Sequence, residues 1–210
     1  MQTEKGQSIE DESMRIIDEE AGGHPYKGGE WQVTRRIIHA TADFDFAGRN
    51  AMIFSSGAVE AGSAALARGC GIVADVNGVV GGLNKQNLRD FGNTVACRIS
   101  EPGMMEAARA SGRTRAQESM RASAAEMDGG VVVVGNAPTA LEEVIKMAAE
   151  GAASPALVVG IPVGFVCAAE SKEELAGSGL PHITNSGRKG GSPAASAVIN
   201  ALFKIARSPA

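Results

Sequence analysis

The sequence predicts an α/β fold with a largely parallel sheet, and three observations carry that prediction. Short runs rich in β-branched residues alternate with longer Ala-, Leu- and Glu-bearing stretches of helical period. Four consecutive valines, Val131 to Val134, suit a strand buried on both faces, as a parallel sheet covered by helices requires. Glycine is abundant, 27 residues of 210, which points to tight turns and close backbone approaches without the low complexity of a linker.

Strands are expected near residues 35–41, 71–76, 94–99, 130–135, 156–161 and 181–185, with helices between them. The first helix, residues 9–21, opens with acidic side chains suited to a positive helix end, carries a partial stripe of Ile9, Met14, Ile16 and Ile17, and stops at "GGHP". The helix over 57–68, "GAVEAGSAALAR", has small residues for close packing, and Gly69 stands where a left-handed residue ends a helix. "GIVADVNGVVGG" leads from a strand into a glycine-rich loop, "RISEPGMMEAARASG" from a strand into a proline-opened helix, and a helix over 114–127 follows. "GGVVVVGNAPTALEEVIKMAAEG" is a β-loop-α unit with Pro138 in the first helical turn. "SPALVVGIPVGFVCAAESKEEL" repeats the plan about 25 residues later. The chain closes with a short strand, the loop "NSGRKGGS" and a final helix. No composition break interrupts it, so a single domain over residues 1–210 is expected.

Composition excludes several classes of function. An apolar content of 44% is ordinary, and no stretch approaches the roughly 18 to 20 apolar residues that span a bilayer. The amino terminus, "MQTEKGQSIEDESM", has no apolar secretory core, so a cytoplasmic protein is expected. Cys70, Cys97 and Cys167 lie far apart in apolar surroundings and read as buried free thiols. Net charge is −4 with six Phe, one Tyr and one Trp, so nucleic-acid binding lacks both its basic footprint and its stacking platform.

Ligands of open α/β sheets collect beyond the carboxyl ends of the strands. His39 with Thr41, Asp75 with Asn77, Ser100 with Glu101, Asn136 with Thr139, Pro162 with Gly164, and the loop from Thr184 to Ser192 are all expected on that rim. The loop with Arg188 and Lys189 fits an anion grip as well as a plain surface turn; it is not a phosphate-binding Walker loop, and no dinucleotide fingerprint occurs. His39, at the expected end of a strand, reads either as a packing residue or as a proton carrier at neutral pH. His24 and His182, each beside a proline, read as solvated. Of Asp43 and Asp45, one is expected to cap the loop or orient a nearby arginine and the other to face water. No second histidine or cysteine lies at ligand spacing from His39, so no metal is expected there.

"RRIIHATADFDFA", "GNAPTALEEVI", "PALVVGIPVGFVCAAESKEEL" and "ITNSGRKGGSPAASAVINAL", in that order, resemble the precorrin-8X methylmutase family, cobalt-precorrin-8 members included, over residues 9–204. The resemblance implies a three-layer α/β/α sandwich, a homodimer and no cofactor. It also implies an isomerase of cobalamin biosynthesis that moves a methyl group from C-11 to C-12 of a tetrapyrrole, giving hydrogenobyrinate or cobyrinate. The family's catalytic histidine falls on His39, as the acid that protonates a ring nitrogen, and two substrate contacts fall on Ser13 and Arg36. Charge and location add Arg115, Arg188 and Lys189 as candidates for the substrate's carboxylate arms, with surface ion pairs as the rival reading. Glu142 stands where the family usually has an apolar residue, and "DVNGVVGG" departs from the usual pattern, so no role is carried over to it. A corrinoid carrier without turnover, or a nucleotide- or phosphate-binding protein using the Arg188–Lys189 loop, are the alternatives.

Overall fold

Six strands form one sheet in the computed structural model, which describes residues 3–207. They are β1 (Met52–Phe54), β2 (Gly71–Ala74), β3 (Thr94–Ala96), β4 (Val131–Val134), β5 (Leu157–Gly160) and β6 (His182–Asn185). Their order is β1-β6-β5-β4-β2-β3, with β1 antiparallel to β6 and every other pair parallel. The helices are α1 (Glu4–Glu20), α2 (Gly28–Thr41), α3 (Ala58–Ala67), α4 (Asn77–Gly82), α5 (Lys85–Phe91), α6 (Met104–Ser111), α7 (Arg115–Ala122), α8 (Ala124–Met127), α9 (Pro138–Ala149), α10 (Ala168–Gly177) and α11 (Ser192–Arg207).

Successive strand side chains point to opposite faces, and that alternation sorts the core in two. Ile72, Ala74, Val131, Val133, Leu157, Val159 and Ile183 pack in one cluster with Val33 and Ile37 of α2, Leu66 of α3, and Val198 and Leu202 of α11. Val73, Val132, Val134 and Val158 pack in the other with Met120 of α7, Leu141 and Val144 of α9, and Leu175 of α10. The result is a three-layer α/β/α sandwich. All four valines of β4 are fully buried, each worth about 1.5–3 kcal/mol by leaving water.

Residues 35–41, expected as a strand, lie in α2 instead. Val33, Thr34, Ile37 and Ile38 are its buried residues, spaced three and four apart as a helix face requires. The β-branched run concealed that period because it covers less than two turns. The edge strand β1 was not anticipated; it pairs Met52 with Asn185 and Phe54 with Ile183. Pro102 sits in the turn before α6, which starts after Gly103 at φ +83°. The helix expected over 114–127 is divided into α7 and α8 at Ser123.

The solvated reading of the other histidines also fails. His182 is 5% exposed, with Nδ1 at 2.8 Å from the Leu180 carbonyl, and His24 stacks on Trp31 at 3.7 Å between ring centres. All three cysteines are free, but Cys167 is exposed rather than buried.

Candidate active site

Chain order reverses between β2 and β4, because β3 lies outside β2 while β5 and β6 continue away on the other side of β4. Such a switch point opens a crevice at the carboxyl ends of the two strands. Here Asp75, fully buried just after β2, fills it. Its carboxylate accepts hydrogen bonds from the backbone N–H groups of Gly135 at 3.0 Å, Asn136 at 2.8 Å and Ala137 at 2.8 Å, across the start of α9. Burial pushes this carboxyl above the usual aspartate range, and the three amides pull the other way. The donors that would otherwise invite a phosphate are thus occupied by the chain itself.

The open space lies one step outward. His39, in the last turn of α2, and Arg36, three residues earlier, line a cleft of about 430 Å³ together with Gly78, Gly82, Ser192 and Ser196. A second cleft of about 290 Å³ joins it at Arg36 and Asn200 and runs between α1, α5 and α11 toward Arg207. His39 therefore reaches the rim from a helix end and not from a strand. Among the described residues its ring nitrogens have no hydrogen-bond partner. Partial burial, reinforced by the Arg36 guanidinium, holds His39 below the usual histidine range, while Glu10 opposes the shift. Glu10 is also the partner of Arg36, at 2.8 Å.

Small residues make this wall. A Cβ added to Gly78 would lie 2.9 Å from Ser192 Oγ, and one added to Gly82 would lie 2.3 Å from Ser196 Oγ. Residues 78 and 82 on α4 thus meet 192 and 196 on α11, four apart on each helix and so on one face of each. At Gly135 a Cβ would lie 3.0 Å from Ser192 Cα, which fixes how closely α11 sits on β4.

Comparison with known proteins decides the family of the chain. The precorrin-8X methylmutase family model matches residues 8–205. A cobalt-precorrin-8 methylmutase of Priestia megaterium is 47% identical, covering 98% of this chain and 91% of that protein. The chain belongs to the precorrin-8X methylmutase family. A precorrin-8X methylmutase of Pseudomonas aeruginosa is 40% identical over 94% of each chain. A solved precorrin-8X methylmutase structure from Thermus thermophilus superposes with a TM-score of 0.88 at 44% identity, covering 96% of both chains. Membership makes this chain a methyl-shifting isomerase of corrinoid biosynthesis.

Of the residues singled out for this methylmutase, the fold brings Arg36 and His39 together in one cleft. Ser13 lies on α1 one turn after Glu10, its hydroxyl donating to the Ile9 carbonyl at 2.8 Å. Arg115 opens α7 in the opposite helical layer, exposed and, among the described residues, without a hydrogen bond or ion pair. Arg188 lies over the ring of Phe165, 5.8 Å from its centre. Lys189, expected to face a substrate carboxylate, is held by two carboxylates of its own chain, Asp43 at 2.7 Å and Asp45 at 2.8 Å. Sequence reasoning placed Ser192 on the rim without a role and passed over Gly78, Gly82, Ser196 and Asn200. The matching four-residue spacing of small residues in "GVVGG" and "SPAAS" was the available signal.

Proposed function

We propose that His39 is the general acid of the methyl shift from C-11 to C-12 of precorrin-8X or cobalt-precorrin-8. The observation that carries the reading is an imidazole on an open cleft, without a hydrogen-bond partner among the described residues and one helical turn from an arginine. Protonated His39 gives its proton to a ring nitrogen and draws electron density from the conjugated system, so the methyl group migrates over a lower barrier. The proton returns when conjugation is restored, and no net acid is consumed. Arg36 binds one carboxylate arm of the substrate, exchanging it with Glu10, and Ser13 offers its hydroxyl beside that site. Arg188 and Arg115 take outer arms. Anionic arms near the imidazole favour its charged form and offset the burial that lowers it.

The same reading makes the enzyme a cytoplasmic homodimer without a cofactor. Its support is the family resemblance, joined for the compartment by three free cysteines. Among the described residues no helix is long and apolar enough to cross a membrane.

The test is incubation of the pure protein with each form of the tetrapyrrole, followed by absorbance and by NMR of the migrating methyl group. The expected result is conversion of at least one form, lost in His39→Ala with product binding retained. Undiminished turnover by His39→Ala removes the acid, and binding without turnover by the wild type leaves a carrier.

A further inference from the structure

Lys172 is 1% exposed on α10, and among the described residues it has no carboxylate partner. Its ammonium donates to Asn185 Oδ1 at 3.1 Å and to the Lys189 carbonyl at 2.7 Å. Asn185 in turn donates from Nδ2 to the same carbonyl at 3.0 Å and to that of Ser186 at 2.8 Å. Burying an ammonium without a counter-ion is unfavourable, and an apolar side chain of similar length would fill the space without that penalty. What the charge holds is therefore the backbone of the 186–189 loop.

From that anchored backbone the Lys189 side chain runs to Asp43 Oδ2 and Asp45 Oδ2. Asp43 uses its other oxygen to accept from the Asp45 N–H at 3.0 Å, which starts the short 3-10 turn Phe44–Ala47 directly after α2. Between them α2 is closed by Ala42, left-handed at φ +52°, whose N–H donates to the Ile38 carbonyl at 2.7 Å. His39 lies in this last turn. The same loop continues through Gly190, where a Cβ would come within 2.3 Å of the Ile161 carbonyl, into Ser192, on the facing wall of the His39 cleft. One loop thus touches both walls.

We infer that Lys189 is a strap that holds the final turn of α2, with Lys172 as its buried anchor, and that both are positioning residues for His39. The inference rests on the reading of His39 as the acid. Both carboxylates already engage the Lys189 ammonium, and Arg49 bears on Asp45 as well, so this cation is occupied by its own chain. The ion pairs are partly exposed, 44% for Lys189 and 40% for Asp45, and solvent screening makes such pairs minor contributors to stability. Variants here fold, and their effect falls on the placement of the imidazole.

Turnover by the wild type comes first, since its absence defeats the general-acid reading and says nothing of the strap. With turnover in hand, Lys189→Met and the paired change Asp43→Asn with Asp45→Asn are each expected to lower kcat on the order of ten- to a hundredfold, the range for misplacement of a catalytic group by about 1 Å. KM stays within about twofold in each, the triple variant is no worse than either parent, and Lys189→Arg recovers most of the rate. Direct substrate contact predicts the reverse: Lys189→Met raises KM at constant kcat, and the aspartate changes lower KM by freeing the cation. Either of those two results overturns the inference. Imidazole NMR of the free protein reads the anchor separately, with Lys172→Met and Lys189→Met displacing the same His39 resonances. Unmoved His39 signals in a folded Lys189→Met protein also overturn it.

Discussion

Gly82→Ala tests whether the α4–α11 crossing sets the wall of the cleft beside His39. The added Cβ would stand 2.3 Å from Ser196 Oγ and 2.7 Å from Ser196 Cβ, with no other atom within 4 Å. Ordinary non-bonded separations are about 3.5–4.0 Å, so the overlap exceeds roughly 1 Å, and Ser196 is seated by a 3.2 Å bond to the Pro193 carbonyl. Overpacking of this size costs about 1–3 kcal/mol. Replacing glycine where the backbone permits alanine returns about 0.4–1 kcal/mol through the unfolded chain. The expected net loss is about 0–2.6 kcal/mol, and a chain of 210 residues then melts lower by about 2–4 °C per kcal/mol.

Both clashing atoms belong to one side chain, so Ser196→Gly removes the whole obstacle. That change alone costs about 0.5 kcal/mol in helix propensity, but in its presence Gly82→Ala becomes neutral or stabilising. Urea unfolding of the four proteins, with an unchanged slope, gives the coupling directly. A coupling of about 1–3 kcal/mol is expected. Additivity within about 0.5 kcal/mol means that the helices do not meet through these residues, and the geometry of the wall is wrong.

Further predictions concern titration and binding. Since burial and Arg36 hold His39 below 6.5, kcat/KM falls as pH rises through a value lower than that of ordinary histidine. A rate that instead grows through this range excludes a protonated His39 in the free enzyme. NMR titration finds the His39 value raised in Arg36→Met and lowered further in Glu10→Gln; no response to either separates the imidazole from that pair. Arg36→Met also weakens substrate binding by about 1.5–3 kcal/mol, and an unaltered Kd rules out the contact. Burial brings Lys172 from 10.5 down to about 8, so between those values the unfolded chain binds the extra proton and stability rises with pH. Relative to Lys172→Met, the wild type gains stability across that window; parallel profiles would show an ordinary exposed amine.

The sequence by itself determined the layers. In β4 and β5 the apolar runs are short, bounded by turn residues and buried on both faces, so period and length identify each strand without any knowledge of its neighbours. Pro138 at the first turn of α9 is equally local, as are the motifs of the resemblance, which put His39 and Arg36 forward before any geometry. Residues 35–41 misled because β-branching satisfies a strand as well as a helix, and only the packing of Ile37 and Ile38 against α11 and the sheet chooses between them. Tertiary structure alone decided the partners of the charged groups. Asp75 meets an amide 62 residues away, and Lys189 meets a carboxylate 146 residues away. A side chain's type declares its charge, but whether that charge faces substrate or another part of the chain depends on which distant segments packing brings within about 3 Å.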